Sequence, residues 1–515
     1  MAPSIAAFLE GDLMATWLEN AFDRVIGLVA PRTALKHAST RNALQMLRRS
    51  YEGAKTGRFT DGWITAGTDA DSEISLATVK LRDRARDLVR NNPYAAKTVM
   101  THASSLIGSG ISPQIKARTK KQDDLVSDLW NSFVDECDAD GRTNFYGLQT
   151  LSSRSMVESG ECLIQLLPRP TSLGLKVPLQ LRVLEIDHLD TSINKELPGG
   201  GYIQQGIEFN AMGIREAYYL FDRHPGSGLR LTSVPKSNRI PATEILHLFE
   251  RLRPGQTRGV SWFAPALMRI RDMDDYDLAE LTRKRLEACY VAFITGGDPG
   301  EYTGSEMATS LLAKNKPIKN MEPGMVEYLE PGADVKFGQP SNVTGYAEYA
   351  SLHHHAMAAG MGLTYELLTG DLSKVNYSSI RAGMLEFRRR TDALQKQVFI
   401  PQVCQPIWRR FLLTAQAAGL VGTFPIRLQW TPPRFEAVDP IKDLTAEILA
   451  VRAGLMSPQT AIARQGFDPD NVAADFAAMY EIWDNLKIIT DMDARKTTKT
   501  GQQKLMETAN AATAA

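Results

Sequence analysis

The side chains Glu158, Glu161, Glu185, Asp187, His188 and Asp190 fall in one stretch and are of the types that hold a divalent ion for phosphodiester hydrolysis. No lysine-bearing nuclease motif accompanies them, and carboxylates at strand ends are ordinarily solvated or capping groups, so a metal-dependent nuclease is the weaker reading. Glu136-Cys-Asp-Ala-Asp-Gly141 imitates a calcium loop, but Gly147 stands at its twelfth position, where a bidentate Glu is required. Gly108-Ser-Gly110 follows a helical run instead of joining a strand to a helix, so it reads as a helix stop and not a phosphate cradle. His353-His354-His355 falls on a helical run, where consecutive residues point about 100° apart and cannot all reach one ion. No Gly-Lys dipeptide occurs, which excludes a Walker phosphate loop. Cys137, Cys162, Cys289 and Cys404 lack CxxC spacing and read as free thiols in a reducing compartment. The expectation is no catalytic centre, no metal and no cofactor.

The elements that carry these residues are mixed, and the expected fold class is α+β. Residues 263–294 contain no Gly or Pro after Pro265 and predict a helix of roughly 45 Å at ~1.5 Å per residue. Its apolar positions are thin (Leu267, Ile270, Met273, Leu278, Leu281) among many charges. A helix polar on most faces either bridges solvent or is held by identical neighbours. Residues 341–362 predict a second helix, 363–379 a polar loop, and 380–418 a long helix kinked at Pro401 and Pro406. Ser378 or Ser379 is the expected cap of that last helix.

Upstream, 73–106 is helical, and 163–249 is β-rich, with short runs at 179–186, 202–209, 216–221 and 244–249 separated by Gly/Pro turns. Turn signals crowd 295–340, with strands expected at 326–329 and 334–337. A strand is expected at 424–430. Asp439 then caps a helix with Pro440 at its first position, and helical segments run to 453, over 458–465 and over 470–486.

Length allows two to four domains, and 43% apolar content excludes wholesale disorder. Lys and Arg total 59, as do Asp and Glu, so net charge does not advertise a tight nucleic-acid binder. No run of about 18 apolar residues exists, and Glu10, Asp12, Glu19 and Asp23 stand where a signal peptide would be apolar. A membrane partner is not expected.

Two runs carry a resemblance. Thr369-Gly-Asp-Leu-Ser-Lys-Val-Asn-Tyr-Ser-Ser-Ile-Arg-Ala-Gly383 and Pro254-Gly-Gln-Thr-Arg-Gly-Val-Ser-Trp-Phe-Ala-Pro265 resemble the signatures of lambda-type portal proteins of tailed phages, and Arg86-Asp-Leu-Val-Arg-Asn-Asn-Pro-Tyr94 is similar to that family's N-terminal hallmark. The resemblance covers about 50–485. It implies a twelve-subunit ring at one capsid vertex, assembled in the host cytoplasm and carried in the virion, through which double-stranded DNA enters on packaging and leaves on infection. It implies docking to the major capsid protein, the terminase and a head-tail adaptor. It further implies an N-terminal arm (1–50), a wing (51–260), a first stem helix (261–294), a clip (295–340), a second stem helix (341–362), a tunnel loop (363–379), a long kinked helix with the return to the wing (380–437), a crown (438–490) and a tail (491–515).

On that reading Asp371, Lys374, Asn376 and Tyr377 belong to the DNA-channel loop, with Lys374 and Asn376 nearest DNA. Asp274, Asp277, Arg283 and Arg285 make contacts between subunits along the stem. A near-neutral wall suits a channel, because a wall that neutralised many phosphates would bind DNA and stall its sliding. A generic adaptor ring is the alternative structural reading.

Overall fold

The computed structural model describes residues 67–227, 236–288, 292–294, 326–328, 345–373, 375–433, 439–467 and 469–490, with a few single positions besides. The described helices and strands belong to the unit Asp69–Ala515. The first helical run is two helices, α1 (Ala70–Asn91) and α2 (Pro93–Ile107). The break at Asn92 is local chemistry: its side chain accepts from the backbone N–H of Tyr94 and Ala95 while Pro93 takes the first helical position. After β1 (Ser112–Lys116) come α3 (Lys120–Glu136), capped by Thr119, and α4 (Phe145–Ser159), capped by Asn144.

The β-rich stretch makes two antiparallel sheets. In the first, β2 (Glu161–Pro168) lies between β3 (Leu179–Leu184) and β9 (Ile245–Phe249), with Leu163 opposite both Leu184 and His247. The second runs in chain order through β4 (Lys195–Glu196), β5 (Tyr202–Gln204), β6 (Ile207–Phe209), β7 (Arg215–Phe221) and β8 (Ser237–Pro241). The strand expected over 202–209 is thus a hairpin. Gln205 and Gly206 both take positive φ, at 49° and 77°, in its two-residue turn.

The helix expected over 263–294 is shorter. Turns occupy 262–266, α5 runs Leu267–Ala288, and Ala292–Ile294 is a strand, β10, paired in parallel with β11 (Val326–Tyr328). Pro265 therefore precedes the helix, and the apolar run at 292–294 pairs as β without any Gly or Pro to announce the change. The strand expected at 334–337 lies outside the described residues.

Next are α6 (Tyr346–Met361), a short α7 (Tyr365–Thr369) inside the stretch read as loop, and α8 (Tyr377–Leu394). The long helix continues without interruption through a π-helical segment, Gln395–Cys404, into α9 (Gln405–Ala417). The expected kinks are taken up there: Pro401 lies inside the wide-turned segment and Pro406 in the first turn of α9. Then β12 (Arg427–Thr431) pairs with β1, and α10 (Pro440–Arg452), α11 (Pro458–Arg464) and α12 (Pro469–Leu486) follow. Asp439 caps α10 as expected, accepting from Lys442 N.

Three apolar cores hold this together. Trp130, Phe133, Phe145, Trp408 and Phe411 centre the first, with Trp130 ring centroids 5.1 to 5.3 Å from the other four. Phe263, Ile270, Met357, Met361, Leu368 and Phe387 form the second, which seats the start of α5 against α6 and α8. Leu163, Ile207, Tyr218 and Ile245 lie in the third, between the sheets. Burying each such large side chain contributes about 1.5–3 kcal/mol. Cys137, Cys162 and Cys404 are free and buried, and Cys289 lies outside the described residues.

Candidate functional site

The run 254–265 is a lock. Arg258, 1% exposed, donates through Nε and Nη2 to the carboxylate of Glu161 at 2.6 to 3.1 Å and through Nη1 to Gln205 Oε1 at 3.0 Å. Glu161 also accepts from Gly259 N at 2.8 Å and meets His247 Nε2 at 2.9 Å. Burial works to raise its pKa, but the Arg258 guanidinium and the His247 contact hold this carboxyl well below the usual range. Burial drives His247 itself down to about 4 despite the carboxylate beside it.

Gly259 and Gly160 make the crossing possible. A Cβ on Gly259 would lie 2.2 Å from Gly160 O, and one on Gly160 2.2 Å from the carbonyl carbon of Val260. Gln256 stitches the preceding turn, accepting from Leu252 N and Arg253 N and donating to Arg258 O. Sequence reasoning singled out Glu161 for the wrong reason and passed over Arg258. The signal was present as an arginine flanked by glycine inside a motif.

The other acidic candidates do not converge on Glu161. Asp187 meets Arg82 and Arg86, each at 2.8 Å, and Asp190 accepts from Ser192 and Ser237. Glu185, Asp187 and His224 are close enough to share an ion, but two guanidiniums already bind Asp187. Glu158 is half-buried, and His188 Nδ1 lies 3.0 Å from the Phe221 carbonyl. Asp138, in the calcium-like loop, accepts from the backbone N–H of Asp140, Arg142 and Thr143. The histidine triplet splits three ways, His353 against Tyr349, His354 against Tyr94 and His355 stacked on Tyr365.

The lock opens onto the α5–α6 pair. Asp274 accepts from Asn92 Nδ2 at 2.7 Å, and its pKa is raised by burial and by the nearby Asp277 and Asp275. Asp277 accepts from the Tyr346 hydroxyl at 2.6 Å, a bond that pushes the phenol up to about 12. Both carboxylates expected to reach a neighbouring subunit thus bind the chain's own helices. Arg283 pairs with Glu280 along α5, and Arg285 is exposed. Met268, Leu278 and Leu281 are also exposed on α5, as is Leu352 on α6.

Between α7 and α8 the loop is organised by two side chains. Asp371 accepts from Ser373 N at 2.9 Å, and Asn376 accepts from Ser379 N at 2.9 Å, so Asn376 and not a serine is the cap. Tyr377 opens α8, Lys374 lies outside the described residues, and Arg381, one turn on, meets Asp443 of α10 at 2.8 Å.

Residues 56–395 match the family described as phage portal protein, lambda family. The chain belongs to that family. The match takes in the lock, the α5–α6 pair and the loop, and it ends where the π segment begins. Among curated relatives, a probable portal protein of Halomonas phage phiHAP-1 is 26% identical over 453 residues, 83% of this chain and 85% of that one. The portal protein of Escherichia phage N15 is 24% identical, covering 80% and 86%, and portal protein B of Escherichia phage lambda 23%, covering 82% and 87%. Among solved structures, a chain in the neck of a native gene transfer agent particle computed with C12 symmetry is 18% identical, with a TM-score of 0.41 over 76% of this chain and 94% of that one. Another from the neck of an empty particle computed with C6 symmetry also scores 0.41 at 18% identity, over 75% and 94%. No helix among the described residues of this portal-family chain is long and apolar enough to cross a membrane.

Proposed function

We propose that this chain is one subunit of a twelve-membered ring that forms the DNA channel at a single capsid vertex and docks first the terminase and then a head-tail adaptor. The observation that carries this reading is the family match over 56–395. The ring contacts the major capsid protein, assembles in the host cytoplasm and stays in the virion. It is a conduit and a docking platform, with no catalytic step of its own. The named regions are assigned accordingly: arm over 1–50, wing over 51–260, stem over 261–294 and 341–362, clip over 295–340, tunnel loop over 363–379, crown over 438–490.

The reading is supported by the loop's two backbone-capping side chains, Asp371 and Asn376, and by Lys374 being the one cationic residue of 363–379, the group suited to phosphate. Negative-stain electron microscopy and native mass spectrometry of the purified protein test the ring. Particles with a central hole and a mass that is an integral multiple of 56.9 kDa are expected, and a uniformly monomeric preparation would remove the reading. Lys374→Glu tests the channel: ring mass unchanged, packaged DNA reduced, and the reduction greater at low salt.

A further inference from the structure

The three C-terminal helices leave large apolar side chains in water. None of α10, α11 and α12 has a buried residue. On α10 Asp443 meets Arg381 and Glu447 accepts from Gln465, with Ala450 and Val451 also half-buried. Ile441, Leu444 and Ile448 face out, 79%, 52% and 42% exposed. On α12, Met479, Ile482 and Leu486 are 45%, 52% and 64% exposed, while Val472, Tyr480 and Trp483 are half-buried. Helices that leave a stripe of large apolar side chains in water require another surface to cover it.

The two stripes match in length and in charge. Ile441, Leu444, Ile448 and Arg452 follow one face of α10 at spacings of three and four, and Asp475, Met479, Ile482 and Leu486 follow one face of α12 likewise. Each spans roughly 16 Å of helix. The α10 stripe ends in a cation and the α12 stripe begins with an anion, and neither Arg452 nor Asp475 has an ion-pair partner among the described residues. Laid antiparallel, the stripes set Arg452 against Asp475, Ile448 against Met479, Leu444 against Ile482 and Ile441 against Leu486.

We infer that α10 of one copy packs antiparallel on α12 of the next copy. The contact joins two different surfaces, so it propagates head to tail and closes only as a ring. The inference rests on the proposed ring and names an interface within it.

The test uses full-length chains carrying Cys289→Ser, the other native cysteines being buried. Ile448→Cys/Met479→Cys rings, oxidised and run on a non-reducing gel, are expected to give a ladder of linked chains. Chains with Ile448→Cys alone are expected to stay monomeric on the gel, and mixing them with Met479→Cys chains should yield a dimer band. Intact rings that give no ladder overturn the interface while the ring stands; a wild-type protein that is monomeric by native mass spectrometry overturns the ring itself. Charge provides a second reading. Arg452→Asp and Asp475→Arg should each lower the assembled fraction about tenfold, and the double variant should recover it to within about twofold. A double variant no better than either single one counts against the pairing.

Discussion

Between Glu161 and Phe249 the chain buries carboxylates among their partners, and between Pro440 and Leu486 it leaves large apolar side chains in water. In the first region the buried carboxylates are answered within the chain: Glu161 is enclosed by Arg258, His247 and Gly259, and half-buried Asp187 meets Arg82 and Arg86. In the second, helices touch the rest of the chain through isolated polar contacts such as Arg381–Asp443 and Lys116–Asp470. Exposed ion pairs of that kind contribute little on their own. The difference separates what a single chain stabilises from what only an assembly can. Substitutions in the lock should act on the monomer, and substitutions on α5 and on α10 to α12 should act on the proposed ring.

The largest effect is expected at the lock. Arg258→Ala leaves Glu161 buried beside an empty space and should lower unfolding free energy by about 3–5 kcal/mol in denaturant titration. Gly259→Ala, whose Cβ would lie 2.2 Å from Gly160 O, should be at least as damaging. If both variants melt like the wild type, the lock is not what holds the sheets to the run 254–265.

Acid should act on the same region. Burial lowers His247 to about 4 in the folded chain, and it lowers His102, on α2, to the same value. Unfolded, each takes up its proton near pH 6.5, so the unfolded state binds more protons between those values. Stability is complete above about pH 6.5 and falls as pH drops toward 4, by about 3 kcal/mol for each histidine. Around His247 the facing groups are Glu161, Arg258, Arg215 and the rings of Tyr218 and Phe249, so protonation adds a cation beside two others. Thermal melts across pH 7 to 5 should show the loss, and His247→Gln should flatten the slope.

A smaller effect is expected at the loop. Asn376→Ala removes the cap of α8 and should reduce stability by about 1 kcal/mol, read as faster amide exchange at the start of that helix with ring mass unchanged. Smallest for the monomer is reversal of Arg283, Lys284 and Arg285 to Glu. The melting curve of the isolated chain should move less than for Asn376→Ala, yet native mass spectrometry should show rings depleted. A monomer that unfolds instead would erase the distinction between the two regions.

Much of this was readable from local chemistry. The caps at Asn92-Pro93 and Asp439-Pro440 work through neighbours in sequence, and the former was visible only as a Pro inside a helical run. The family motifs marked the lock and the loop before any contact was known. Longer-range choices were not readable. Gln205 adopts positive φ because the flanking strands must pair, which its own side chain does not signal. Ala292–Ile294 became a strand because Val326–Tyr328 lies alongside it. The bonds of Asp274 to Asn92 and of Asp277 to Tyr346 were not readable, because the partners are distant in sequence.

The π segment has a mechanical consequence. Gln402 clips both the N–H and the carbonyl of Phe249 at 3.0 and 3.1 Å, Gln395 donates to Leu106 O at 2.7 Å, and Gln405 accepts from Trp430 Nε1 at 3.0 Å. These amides fasten one stretch of the long helix to three separate parts of the chain. A tug on the loop ahead of α8, directed along the helix, loads them side by side in shear, and bonds loaded in that way share the force and break together instead of peeling one at a time. The helix is anchored where it is widest, and strain from the loop ends there before it reaches the aromatic core around Trp408.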